Sequence, residues 1–152
     1  MTGPVAIVTA NDNGTPHGTT VSSLASLSLT PAMISVALDN ASTLLSIVRR
    51  TGAFGINILS AGQHEAAMRF ASRREGRFAT ATWEFEEGLP SPDGQHSLVA
   101  VQRRGRDPRR GSHPAPRRGA GLLDHRPHPP LVYSRRSFGT HTVLPSITAT
   151  AS

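Results

Sequence analysis

Short apolar runs separated by clusters of turn-forming residues fill the chain from Pro4 to Pro90, and their spacing predicts strands interleaved with short helices. Val5-Ala6-Ile7-Val8-Thr9-Ala10 is apolar and rich in β-branched residues. It reads as a strand, followed by a hairpin loop in the turn-rich Asn11-Asp12-Asn13-Gly14-Thr15-Pro16. From Thr19 to Leu29 small hydroxyl residues come to alternate with apolar ones, a period of two that predicts a half-buried strand with hydroxyls on its open face. Thr30-Pro31 breaks this run, and Met33 to Leu38 resumes as a strand able to pair antiparallel with its neighbour.

Asp39-Asn40-Ala41-Ser42-Thr43 offers helix-capping side chains just before Leu44-Leu45-Ser46-Ile47-Val48, so a short helix is expected to end near Thr51-Gly52. Ala53 to Leu59 follows as a strand. Ser60-Ala61-Gly62-Gln63 then introduces a second helix, with Ala66, Ala67, Phe70 and Ala71 at helical spacing, carried through Arg74. The order strand, strand, strand, helix, strand, helix, with hairpin-like links, predicts an α+β, mainly β barrel in preference to a doubly wound parallel sheet. A length of 152 residues suits a single domain spanning 1–152.

Beyond Ser91 the pattern changes. Arg103 to Pro130 has no sustained apolar period and is crowded with Arg, Gly, Pro and His, so it is expected to be poorly packed and to supply no ordinary core strand. Pro129-Pro130-Leu131-Val132-Tyr133 returns to strand-like sequence, and Ser146 to Ser152 reads as a polar tail.

Charge sharpens that boundary. All 16 basic residues are Arg, which suggests a GC-rich coding sequence. Between Arg103 and Arg126 eight Arg face Asp107 and Asp124, a local net of +6 that equals the +6 of the whole chain. A field able to attract nucleic acid or anionic lipid therefore belongs to this one segment. The absence of Cys excludes disulfides, thiolate metal sites and thiol nucleophiles. No apolar run is long enough to span a bilayer and Met1-Thr2-Gly3-Pro4 lacks the regions of a signal peptide, so a cytoplasmic protein without membrane contact is expected. The seven His show no metal-binding spacing; His125 and His128 sit in Pro-rich sequence without a carboxylate, and no metal site is expected.

Two hydroxyl clusters remain as candidate chemistry: Thr19-Thr20-Val21-Ser22-Ser23 in a strand, and Ser42-Thr43 at a helix start. Free N–H groups and hydroxyls at a helix N-terminus suit a phosphate, and strand hydroxyls and amides suit the polar edge of a flat ring. Ser and Thr are equally at home on strand faces and caps, so composition alone leaves both roles open.

Order adds what composition does not. Val5 to Thr9, Gly14-x-Pro16-His17-Gly18-x-Thr20-Val21-Ser22-Ser23-Leu24-x-Ser26-Leu27-Ser28-Leu29-x-Pro31, Ser42-x-x-Leu45 and Gly52-x-Phe54-Gly55-Ile56-Asn57-Ile58-Leu59 follow one another without large gaps. Gln63, Phe70-Ala71, Arg77-Phe78, Trp83 and Gly88-Leu89-Pro90 complete the series. Over residues 4–90 this resembles the flavin reductase-like family of FMN-binding split β-barrels. The resemblance implies a homodimeric enzyme that passes hydride from NADH or NADPH to FMN, with FAD or riboflavin as other flavin substrates. Such an enzyme supplies reduced flavin to a partner monooxygenase. It implies that Thr20, Val21, Ser22 and Ser23 line the isoalloxazine, that Asp39, Asn40, Ser42 and Thr43 lie near the ribityl-phosphate, and that Arg77 and Phe78 approach the flavin from the following loop. No catalytic acid or base is demanded, because the flavin carries the hydride chemistry. Two other readings stand beside it: a split-barrel protein that binds FMN without reducing it, and an Arg-rich module for nucleic acid, which lacks interleaved aromatics.

The chain departs from the family in two places. Members begin with a helix and a Phe-Pro-Thr-Gly-like approach where this chain has Met1-Thr2-Gly3, so a misplaced start is expected. Their Gly-Asp-His-Thr segment, linked to nicotinamide binding, is missing between Pro90 and Leu131, so the last barrel strands are expected to be disrupted. A shifted reading frame over Arg103 to His128, restored before a family-like remnant at 130–145, accounts for this. Read one base later with CGN codons for Arg, Arg106 to Gly121 permits Val-Ile-Arg-Ala-Gly-Asp-His-Thr-Leu-Leu-Leu-Gly-Glu-Val-Leu, and His113-Pro114 permits only Thr or Ile.

Overall fold

The computed structural model describes residues 3–29, 32–92, 97–102, 131–134 and 137–140. The segment Arg103 to His128 and the tail Ser146 to Ser152 lie outside the described residues. The elements in chain order are β1 (Gly3–Pro4), β2 (Ala6–Asp12), β3 (Thr15–Val21), β4 (Ala25–Leu29), β5 (Ala32–Ser35), α1 (Thr43–Thr51) and β6 (Ala53–Ile58). They continue with α2 (His64–Ala71), β7 (Trp83–Glu86), β8 (Leu89–Pro92), β9 (Ser97–Gln102), β10 (Leu131–Ser134) and β11 (Ser137–Thr140).

A four-stranded antiparallel sheet in the order β3-β2-β6-β9 organises the rest. The β2–β3 hairpin is tighter than the sequence loop suggested: pairing runs out to Asp12↔Thr15, leaving Asn13 and Gly14 as the turn. Both have positive φ, 50° and 89°, the combination that matches a two-residue turn to the strand twist and that Asn-Gly adopts most readily. The expected strand from Thr19 to Leu29 is two strands: β3 ends at Val21, and β4 begins at Ala25 and pairs antiparallel with β5. Ser23 accounts for the break. Its hydroxyl donates to the Ala37 carbonyl and accepts from the Ala37 N–H, both at 3.1 Å, tying the link between strands to the chain beyond β5.

The central sheet buries both faces, as its near-continuous apolar β2 requires. One face carries Ala6, Val8, Ala10, Val21 and Ile56 against Leu44, Ile47 and Val48 of α1; the other carries Val5, Ile7 and Leu59 against Ala66, Ala67 and Phe70 of α2. Helix α1 matches expectation, capped by Ser42 and closed where the Gly52 N–H reaches the Val48 carbonyl at 2.9 Å. Helix α2 stops at Ala71, short of Arg74. Ser72 turns extended and its hydroxyl donates to the Arg69 carbonyl at 2.8 Å, ending the helix.

A buried polar network fixes the β7–β8 hairpin to this sheet. Thr9 Oγ1 donates to the Pro90 carbonyl at 2.7 Å, Asn57 Nδ2 donates to the Ile7 carbonyl and to Thr9 Oγ1, and Ser91 Oγ donates to Asn57 Oδ1 at 3.3 Å. Thr9, Asn57 and Ser91 are essentially sealed from water, so their partners are obligatory. The remnant near Tyr133 forms β10, which pairs with β1 and β11. Among the described residues no helix is long and apolar enough to cross a membrane.

Candidate functional site

Strand β3 is the end strand of the central sheet, and its alternation divides its side chains between the two helices. Thr19, opposite Val8, and His17, opposite Ala10, share the α1 face with Val21; Gly18 and Thr20, opposite Thr9 and Ile7, share the α2 face. The Gly18 carbonyl points away from β2, because it accepts from Arg77 Nη1 at 2.8 Å. By the same alternation the backbone groups of Thr20 turn outward.

Along this edge runs a cavity of about 650 Å³, within the range of roughly 300–1,000 Å³ common to small-molecule sites. Its floor is Thr15 to Thr19 of β3. One wall is the start of α1, with Ser42, Thr43 and Leu44; the opposite wall is the loop after α2, from Arg73 to Phe78.

The first wall is a local construction. Asp39 accepts from the Ala41 N–H through Oδ1 at 2.8 Å and from the Ser42 N–H through its carbonyl at 3.0 Å, turning the chain into α1. Ser42 Oγ then accepts from the Leu45 N–H at 3.3 Å. With no acid in its first turn, α1 presents the positive end of its dipole to the cavity without a carboxylate of its own.

The second wall is held from afar. Arg77 Nη1 donates to the Gly18 and Phe70 carbonyls at 2.8 and 3.3 Å, and its Nε donates to the Arg74 carbonyl at 3.1 Å. Phe78 stands edge-on to Phe70 and to Trp83, with centroids 4.9 and 5.4 Å away. A Cβ at Gly18 would come within 3.2 Å of the Phe78 ring and 3.3 Å of Phe70, so a bare backbone at this position is what admits both rings.

Of the residues named from sequence, Ser42, Thr43, Arg77 and Phe78 meet in this one cavity, although they come from opposite faces of the sheet. The others lie beside it. Thr20 lends its hydroxyl to the Ala67 carbonyl at 2.7 Å, so it is covered by α2 and does not stand on an open face. Val21 is buried in the core under α1, Ser22 leaves the strand with its carbonyl against Gly3, and Ser23 holds Ala37. Asp39 shapes the turn before α1 and Asn40 is exposed at its tip. Thr19, part of the strand hydroxyl cluster named from sequence, also lines the cavity, whereas sequence reasoning missed His17, Arg73 and Arg74 as lining residues. Counting back in twos from Thr19 would have found His17. Among the described residues no group of His, Asp or Glu is arranged to hold a metal.

Comparison with known proteins places the chain in a family. The flavin reductase like domain matches residues 1–142. A flavin reductase (NADPH) of Lentzea aerocolonigenes is 43% identical over 89 residues, 57% of this chain and 52% of the relative. The reductase subunit HsaB of a flavin-dependent monooxygenase from Rhodococcus jostii strain RHA1 is 35% identical over 97 residues, 64% of this chain and 49% of that protein. The chain thus spans about half the length of these relatives. The crystal structure of a flavin reductase domain protein from Arthrobacter sp. FB24 matches with a TM-score of 0.75 at 23% identity, over 95% of this chain and 91% of that one. The fold is therefore the α+β, mainly β split barrel of these reductases, and the chain belongs to the flavin reductase like family.

Proposed function

We infer that the cavity along β3 is a flavin site and that the chain is a flavin reductase, passing hydride from NADH or NADPH to FMN or another flavin. The observation that carries this reading is the meeting of Ser42, Thr43, Arg77 and Phe78 across the strand edge in a chain of this family. The lining fits such a group. Donors at the start of α1 and the guanidinium of Arg77 suit a phosphate, Phe78 and Leu44 supply apolar surface, and the outward backbone of β3 offers hydrogen bonds to a ring edge. When bound, the flavin supplies the hydride chemistry, and the protein binds, orients and excludes competing reactions. Thr20 and Val21 hold β3 against α2 and the core, so their part is to keep that edge in place. Ser22, Ser23, Asp39 and Asn40 shape the approaches. A homodimer in the cytoplasm that hands reduced flavin to a monooxygenase is the corresponding setting, supported by the likeness to a monooxygenase reductase subunit. Titration of the purified chain with FMN, followed by NADH and NADPH oxidation with FMN present, tests the reading. Saturable binding with nucleotide oxidation is expected; binding without oxidation favours a flavin carrier, and no binding overturns the assignment.

The same reading takes this copy as impaired, with Arg103 to His128 out of frame. Its support lies in the sequence: the stretch is rich in the Arg, Pro, Gly and Ala that GC-rich DNA yields out of frame, and family-like sequence resumes at Pro130-Leu131-Val132-Tyr133. Resequencing is expected to show a small insertion or deletion upstream of Arg103 and an opposite one near His128, and the corrected product to gain reductase activity. A stop codon in the alternative frame rules this out.

A further inference from the structure

Arg73 and Arg74 are unexplained by a flavin mononucleotide. Both are exposed and line the wall of the cavity opposite Ser42 and Thr43. Neither guanidinium has an ion pair or hydrogen bond among the described residues, where the one ion pair is Arg50 with Asp12. Their backbone is fixed all the same: Arg77 Nε holds the Arg74 carbonyl, and the Ala79 N–H reaches the Gly76 carbonyl at 2.9 Å. Glu75 is the sole carboxylate among the described lining residues, against three arginines and the positive end of α1. Two spare guanidiniums on an ordered loop, across the cavity from a wall that already offers donors to one phosphate, are matched to a ligand with more phosphate than FMN carries.

Resting on the flavin reading above, we propose that Arg73 and Arg74 form a subsite for the pyrophosphate of a dinucleotide. That group is shared by FAD and by NADH and NADPH, and is absent from FMN and riboflavin. The subsite makes dinucleotide binding depend on these side chains, while FMN depends on the α1 wall and Arg77.

The test uses the full chain, with fluorescence of its single Trp, packed against the cavity-lining Phe78, as the signal. Riboflavin, FMN and FAD are titrated into the parent, an Arg73→Gln/Arg74→Gln variant and an Arg73→Lys/Arg74→Lys variant; ADP-ribose is titrated into the FMN-loaded forms. The Gln pair is expected to weaken FAD about tenfold or more and FMN less than about twofold, with partial recovery in the Lys pair. Arg69→Gln, outside the cavity lining, is expected to leave all four ligands unchanged. Loss confined to ADP-ribose assigns the subsite to the nicotinamide nucleotide. The proposal is overturned if FMN and FAD weaken equally, or if neither FAD nor ADP-ribose responds. A parent chain that binds no flavin at all refutes the flavin reading itself, whereas a parent that binds FMN and has arginines indifferent to pyrophosphate refutes this inference alone.

Discussion

The two walls of the cavity face each other across β3 but are built by opposite means. The α1 wall is assembled from contacts between close neighbours in sequence: Asp39 to Ala41 and Ser42, and Ser42 to Leu45. The 73–78 wall depends on Arg77 reaching Gly18, 59 residues away, and on Phe78 lodged between Phe70 and Trp83. A locally built wall fails locally. A wall held by distant partners fails together with the packing of α2 on the sheet, so equal chemical changes on the two sides should have unequal reach.

The largest expected effect is on the distant wall. Phe78→Ala removes a ring from the cluster beneath α2 and is expected to cost about 3 kcal/mol, the low end for a buried Phe, because Phe78 is only half-buried. Urea unfolding measures it, and a loss as small as that at the α1 cap would erase the contrast. Arg77→Ala comes next, at roughly 2 kcal/mol, since three backbone carbonyls lose charge-assisted donors. Arg77→Lys should recover little of it, because an ammonium cannot reproduce the planar fork. FMN affinity should fall with stability in both variants; full affinity in Arg77→Lys would mean that the fork does not position this wall. The smallest effect is expected at the near wall. Ser42→Ala should cost about 1 kcal/mol and Ser42→Asp should recover it. Amide exchange should quicken in α1 and stay unchanged across Arg73 to Phe78, and coupled loosening of that loop would show the walls to be one unit.

This division also sets what was legible beforehand. Helix α1, its Ser42 cap and its Gly52 end could be read directly, because the signals lie within a turn of the residues they govern. Strand β6 was legible for the same reason, and so was the β2–β3 hairpin, though not its tightening to Asn13-Gly14. The division of Thr19 to Leu29 was not: it depends on Ser23 meeting Ala37, and its one local sign is that Ser23-Leu24 interrupts the alternation between Val21 and Ala25. Arg77 and Phe78 could be picked out by family likeness, yet nothing near them in sequence announces the Gly18 carbonyl or the Phe70 ring. The early end of α2 has a local cause in Ser72, but the helical spacing of its apolar residues gives no sign of it.

The Thr9, Asn57 and Ser91 network has a consequence for how the chain finds its fold. In β8 Ser91 is flanked by Pro90 and Pro92, all buried. A slip of one residue would set a proline, which has no donor of any kind, against Asn57 Oδ1, and would carry the Pro90 carbonyl away from Thr9. Misalignment would thus strand polar atoms in a dry interior, a penalty of about 1–3 kcal/mol for each. The three side chains act as a proofreading step in assembly, rejecting near-miss hairpin dockings that hydrophobic burial alone would tolerate.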